Sequence, residues 1–284
     1  MLRRTSLLCT LVFVAAAGVA QAAPARQTTA ANARRLVQIN YMTWPEIYDA
    51  IHEDGKTTVL VYNGGTEQRG PQCVLGGHTL MGEATARAIA EKLGNALVAP
   101  TMPFSITGVT EEHPGGISVT PETFIAVNEE VVDSMVKNGF KNIILMGDHG
   151  GGQKELAEVA KKKDAQYGPQ GVHVYFCGDV YAKANDEFNQ YLIAHHLPVS
   201  THAGISDTSE MMYLDEAQWV RVDKIAVGDP VPKPGEKPVH TVNNGITGDA
   251  RGSSKALGKI QFDMKVNAAV SQIRGFLAGQ ASQH

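Results

Sequence analysis

Cysteine is scarce: 284 residues hold three, and only Cys73 and Cys177 lie beyond the first ten positions. That excludes a disulfide-dense scaffold and a multi-cysteine zinc module, and a chain of this length does not need such staples. One bridge between Cys73 and Cys177 stays open, as does a thiol nucleophile at Cys73. Aromatic residues make up 6%, and 25 basic residues face 29 acidic ones. A mildly acidic, aromatic-poor surface argues against nucleic acid as the partner. No internal repeat, heptad array or low-complexity segment occurs, and no P-loop or dinucleotide fingerprint.

Long apolar runs are also missing after position 20. Before it, Arg3 and Arg4 precede an apolar stretch from Leu7, closed by Ala20-Gln21-Ala22. That stretch is shorter than the ~20 residues of a membrane span and has the layout of a secretory signal peptide cut after Ala22. The expectation is a periplasmic or secreted protein: signal peptide 1–22, a mobile lead-in over 23–38, and one domain over 39–284. Once cut, it no longer contacts the membrane.

What the chain does have is alternation. Short apolar, β-branched runs at 57–62, 96–100, 142–146 and 172–177 alternate with helical spacing at 79–93, 120–137 and 153–163, and a last helix is expected at 254–277. Continuous apolar runs suit strands buried on both faces, and the alternation predicts a three-layer α/β/α fold with a mainly parallel sheet. Loops at the carboxyl ends of such strands carry the site. The first holds Glu67, Arg69 and His78, the second Glu111, Glu112 and His113, the third Asp148 and His149. Imidazole beside carboxylate suits zinc or a similar ion, with an open position for a water. Gly150-Gly151-Gly152 reads as a tight turn that lets His149 face the site. His202 with Asp207 suits a general acid/base and its orienting partner. His173 reads as structural, and His195-His196 as a surface pair at a helix end.

Several motifs resemble one family in order. Thr66-Glu67-Gln68-Arg69-Gly70-Pro71-Gln72 resembles the signature Thr-Glu-Gln-His-Gly-Pro-His of the creatininase-type amidohydrolases. Met42-Thr-Trp-Pro45, Glu112-His-Pro-Gly-Gly-Ile-Ser118, Asp148-His-Gly-Gly151, His202-Ala-Gly204 and Gly245-Ile-Thr-Gly-Asp249 follow in the family's order. The resemblance implies an α/β/α fold, a metal centre, hydrolysis of amide C–N bonds in small substrates, and hexamers. Glu67 matches the first metal ligand, His149 a later one, and His202 the general acid/base. Arg69 stands where the family has a ligand His, His78 where it has a metal-bridging Asp, and Asp207 where it has a Glu. Arg69 cannot ligate a metal.

The expectation is therefore one divalent ion, zinc first and manganese or another as alternatives, on Glu67, His78 and His149. His202 carries protons and Asp207 orients it. Arg69, with His113 and Glu112, binds an anionic group of a small-molecule amide. The altered ligands make creatinine itself a poor candidate. Two other readings stand beside it: a relative that binds a small ligand or protein without hydrolysis, and a metal-independent enzyme using Cys73 or Ser209.

Overall fold

The structure, a computed structural model, describes residues 37–281 except 216, 217 and 234. The expected signal peptide, and all of the lead-in but Val37 and Gln38, lie outside the described residues. Four strands form one sheet: β1 (Thr58–Asn63), β2 (Ala96–Val98), β3 (Asn142–Gly147) and β4 (His173–Phe176). Their order is β2-β1-β3-β4, every pairing is parallel, and Thr58 of β1 registers with Ala96 and with Asn142.

Side chains alternate across a strand, so β1 and β3 feed two cores. Val59, Val61, Ile143 and Leu145 meet α1 (Trp44–His52), α3 (Pro121–Lys137) and α4 (Gln153–Tyr167) through Ile51, Phe124, Val132 and Leu156. Leu60, Tyr62, Ile144 and Met146 meet α2 (Gly77–Leu93) and α7 (Lys255–Ala281) through Ile89, Val266 and Ile273. Both faces of the sheet are covered, giving the expected three layers. Two further helices, α5 (Ala182–Ala194) and α6 (Ile205–Leu214), pack by Phe188, Leu192 and Ile205 against Leu257 and Ile260 of α7. A capping box, Thr43 with Glu46, starts α1, and Gly94 ends α2 in the left-handed region at φ 84°, where glycine has no side-chain penalty.

Several boundaries move; helix α4, for one, runs to Tyr167 rather than 163. Helix α2 starts at Gly77 rather than Thr79, which puts His78 on its first turn instead of in the loop. Gly77 allows this, because a Cβ there would lie 2.7 Å from the Arg69 side chain. Helix α7 runs to Ala281 instead of ending at 277. Both cysteines are buried and free, so no disulfide joins them.

The turn after β3 aims His149. Gly152 has φ +97°, and a Cβ on it would come 2.9 Å from the Phe124 ring. Gly152→Ala combines a disfavoured backbone with a clash against a core aromatic. Its expected effect in urea unfolding is a loss of about 1–3 kcal/mol, with the slope of the transition unchanged.

Candidate metal centre and cleft

A parallel sheet delivers its strand ends to one edge, and the β1 and β3 loops meet there. The Glu67 N–H bonds the Leu75 carbonyl at 3.0 Å, and the Ile117 N–H bonds the Thr66 carbonyl at 2.8 Å, which fixes the Glu67 backbone. Its carboxylate then receives two imidazoles. His78 Nε2 lies 2.8 Å from Oε1 and His149 Nε2 3.0 Å from Oε2. The far sides of both rings are also held. His78 Nδ1 sits 2.9 Å from Asp148 Oδ2. His149 Nδ1 lies 3.2 Å from the Gly151 carbonyl and 3.0 Å from the Gly151 N–H.

These three side chains fit a divalent ion. One ligand atom from each of Glu67, His78 and His149 lies within 4.8 Å of the others. Two imidazole nitrogens and a carboxylate oxygen are a donor set for zinc or manganese. Each ring is oriented by a partner on its other nitrogen, as ligand histidines are.

His202 is placed by a strained backbone. Ala203 beside it is fully buried and has φ +53°, a conformation uncommon for a residue with a Cβ. Three bonds hold it: Asp207 Oδ2 accepts its N–H at 2.7 Å, and its carbonyl accepts from Gln72 Nε2 at 2.7 Å and from Thr208 Oγ1 at 3.3 Å. His202 Nε2 then lies 2.8 Å from the Gln68 carbonyl, and Nδ1 points toward Glu67 with 3.8 Å to Oε1. The Gln68 side-chain amide is 3.0 Å from the same Nε2. Gln68 therefore offers that nitrogen an acceptor when protonated and a donor when not.

Several expectations need correction. Asp207 makes no hydrogen bond to His202; its Oδ1 pairs with Arg69 at 2.7 Å and its Oδ2 holds Ala203. Arg69 is fully buried beneath the cleft, 3.8 Å from Glu67 as well, and is absent from the cleft lining. It cannot clamp a substrate anion there. His113 and Glu112 are absent from the lining too: His113 Nε2 meets the Asn243 carbonyl at 3.1 Å, and Glu112 accepts from Asn243 Nδ2 at 3.1 Å. They clasp two surface loops together. The thiol reading fails on burial, which pushes Cys73 up to about 11 and Cys177 up to about 12. Ser209 is fully buried and accepts the Ser254 N–H at 3.1 Å.

Sequence reasoning missed the floor of the site. Lys265 of α7 lies 2.6 Å from both Asp148 and Glu210, and all three are buried. A signal existed: Gln261 and Lys265, four apart and polar, lie on the inner side of the last helix near the buried Val266, Ala269 and Ile273. The cleft above measures about 510 Å³, and Asn185, Asn189, Ser200, Ser206 and Gln261 share its lining with the site residues.

Charge explains the electrostatics. Burial alone would raise the Glu67 carboxyl, but the bonds from His149 and His78 outweigh it and hold it well below the usual range. Burial acts on Asp148 in the same way and is outweighed by Lys265 and His78. Asp207, also raised by burial, is held low by Arg69 above all. Burial pushes Glu210 up despite Lys265. Glu67, Asp148 and Asp207 against Arg69 and Lys265 leave one negative charge, or two when Glu210 is ionised. A divalent ion offsets that excess.

Acid should expose this balance. Asp207 has a lower pKa folded than unfolded, and so does Asp229, which the N–H groups of Asn243 and Val242 hold at about 2. Their contributions are present above the unfolded value near ~4 and fade as pH falls through the folded one. Urea unfolding of the metal-free protein should show stability dropping steeply between about pH 5 and 2. Asp207→Asn, which strands a buried cation, should cost about 3 kcal/mol or more at pH 7 and lose less than the parent on acidification.

Comparison with known proteins agrees with the fold. The Creatininase family model, described as creatinine amidohydrolase, matches residues 40–273. The chain is 25% identical over 233 residues to the mycofactocin precursor peptide peptidase of Mycolicibacterium smegmatis, covering 76% of this chain and 84% of that protein. It is 25% identical over 118 residues to the creatinine amidohydrolase of Pseudomonas putida, 40% of this chain and 45% of the relative. A crystal structure of creatinine amidohydrolase superposes with a TM-score of 0.69 at 20% identity, covering 84% of this chain and 97% of that one. A putative creatinine amidohydrolase from Bacteroides fragilis gives 0.65 at 18% identity, covering 84% and 95%. Other solved creatininases in the comparison are a manganese form and a mutant of Zn-Zn type. The solved structures speak for the fold alone, while the family model spans most of the sequence: the chain belongs to the creatininase family.

Proposed function

We propose that this protein is a metal-dependent amidohydrolase that cleaves an amide C–N bond of a small substrate at a one-ion centre on Glu67, His78 and His149. The observation that carries the reading is the convergence of their three ligand atoms within 4.8 Å. A zinc or manganese ion bound there supplies Lewis acidity and lowers the pKa of a water.

The chain's own residues do the rest. His202 stands at the cleft with Nε2 on the Gln68 carbonyl, which keeps the Nδ1 lone pair toward Glu67. It can take a proton from the attacking water and return it to the leaving nitrogen. Asp207 serves it indirectly by holding the Ala203 backbone. Arg69, 3.8 Å from Glu67 and permanently charged, disfavours a second divalent ion beside the first.

The cleft also speaks to the substrate. Its walls carry amide and hydroxyl groups, and its one lining cation, Lys265, is bound to two carboxylates. A neutral or cationic polar amide fits such walls better than an anionic one, in place of the anion expected at Arg69. Export through the leader and assembly into an oligomer belong to the same reading, the first from the Arg3 to Ala22 pattern and the second from the family resemblance.

Metal analysis of protein purified without chelator should find close to one equivalent of ion per chain, as the one-ion reading requires. His78→Ala and His149→Ala should lose it. His202→Ala should keep the ion and lower kcat/KM on a cleaved amide by about 10²–10⁴. Two equivalents would sink the role given to Arg69. No ion, with no stabilisation on adding zinc, would leave a ligand-binding relative.

A further inference from the structure

Three buried charges under the cleft take no part in the chemistry above. Glu210 of α6 forms an ion pair with Lys265 of α7 at 2.6 Å, and Lys265 donates to Asp148 Oδ1 at the same distance. Asp148 sits after β3 and turns its other oxygen to His78 Nδ1 on α2, at 2.9 Å. Four separate elements thus contribute one residue each to a line that ends at the ion site. Side-chain exposure along it is 9% at His78, 1% at Asp148, 4% at Lys265 and 0% at Glu210.

Such a line is poor value as a stabiliser, because buried ion pairs commonly do no better than apolar packing of the same volume. Its geometry does something packing cannot. Oδ1 of Asp148 is taken by Lys265, with the Tyr62 hydroxyl 3.3 Å away, so Oδ2 alone is left for the ring. An ionised carboxylate only accepts, so His78 must hold its proton on Nδ1. Without an ion, Nε2–H donates to Glu67 Oε1 at 2.8 Å; with an ion bound, Nε2 gives up that proton and its lone pair is the ligand. Burial would lower the Lys265 pKa, but Asp148 and Glu210 raise it above its ordinary value, so the cation persists.

We propose that Lys265, anchored by Glu210, is a positioning residue that fixes the Asp148 carboxylate on His78 Nδ1 and so presents the Nε2 lone pair to the metal. This rests on the one-ion centre proposed above. It also makes a prediction opposite in sign to simple electrostatics. Lys265 is a cation close to a divalent ion, so on Coulomb repulsion alone its removal should tighten metal binding. If it positions a ligand, removal should loosen it.

The test is zinc affinity by competition with a chromophoric chelator, in the parent, Lys265→Met, Lys265→Arg, Asp148→Asn and the Lys265→Met/Asp148→Asn double variant. Expected is a loss of about 10–100-fold for Lys265→Met, the size typical of outer-shell partners. Lys265→Arg should recover most of it, and the double variant should be no worse than the weaker single one, because both act through the same bond. Nitrogen-15 NMR of the metal-free protein gives a second readout: a His78 Nδ1–H held in a fixed hydrogen bond to Asp148 in the parent, and weakened in Lys265→Met. A cooperatively folded Lys265→Met with equal or tighter zinc binding and an unchanged His78 signature would overturn the proposal. Should that variant not fold, Glu210→Gln carries the test, with weaker zinc binding expected and unchanged binding overturning it. A parent that binds no zinc would refute the metal centre instead, and the His78 signature would still decide the hold of Lys265 on that ring.

Discussion

Everything at the site depends on one buried acceptor. Glu67 is 5% exposed and has only acceptor oxygens, so each must find a donor or a cation in place of water. His78 and His149 supply two, from α2 and from the β3 loop, and Arg69 and His202 stand at 3.8 Å. The fold exists around this point in a literal sense: the parallel register of β1 with β3 carries Asn63 level with Gly147. The loops that follow these paired residues carry Glu67 and His149 to each other. Slide one strand and the carboxylate loses its partners.

The price of that convergence is a concentration of like charge. Four carboxylates, Glu67, Asp148, Asp207 and Glu210, sit close together, and buried carboxylates do not tolerate this without cations. Arg69 answers at Asp207 and Glu67 and Lys265 at Asp148 and Glu210, each pinned between acidic groups rather than offered to solvent. Both lie almost wholly out of water, which is why neither is free to grip a ligand. The hydroxyl and amide lining of the cleft is the complement of this arrangement, since the charged groups are already spent on one another.

Much of the fold and part of the site were legible in the sequence, for physical reasons that also mark the limit. Continuous apolar runs reveal strands, alternation reveals a parallel sheet, and a parallel sheet says where loops gather. That suffices to put Glu67, His78 and His149 in one place. It does not say which way a loop turns after leaving its strand, and so His113 and Glu112, on the long loop after β2, lie away from the cleft bonded to Asn243. Nor does it give pairings across the fold. Asp207 is five residues from His202, yet it bonds Arg69, because a fully buried guanidinium demands a counter-ion more strongly than a half-exposed imidazole demands an orienter. Lys265 is almost two hundred positions from His78 in sequence, and only its polar character on the inner face of α7 hinted at a buried role.

Charge conservation ties these departures together. Relative to the family pattern, Arg69 replaces a neutral ligand histidine and adds one positive charge. His78 replaces a bridging aspartate and removes one negative charge. The sum of the two changes is the charge of one divalent ion. On the one-ion reading proposed above, these two changes supply the charge that a second divalent ion would have brought, and either alone would supply half. A single ion would then meet carboxylates already paired with Arg69 and Lys265. A protein decaying toward mere binding has no reason to keep that balance, nor to hold His202 on a strained Ala203 with its free nitrogen toward the carboxylate. Both belong to the hydrolytic reading proposed above, in which His202 moves protons beside the ion.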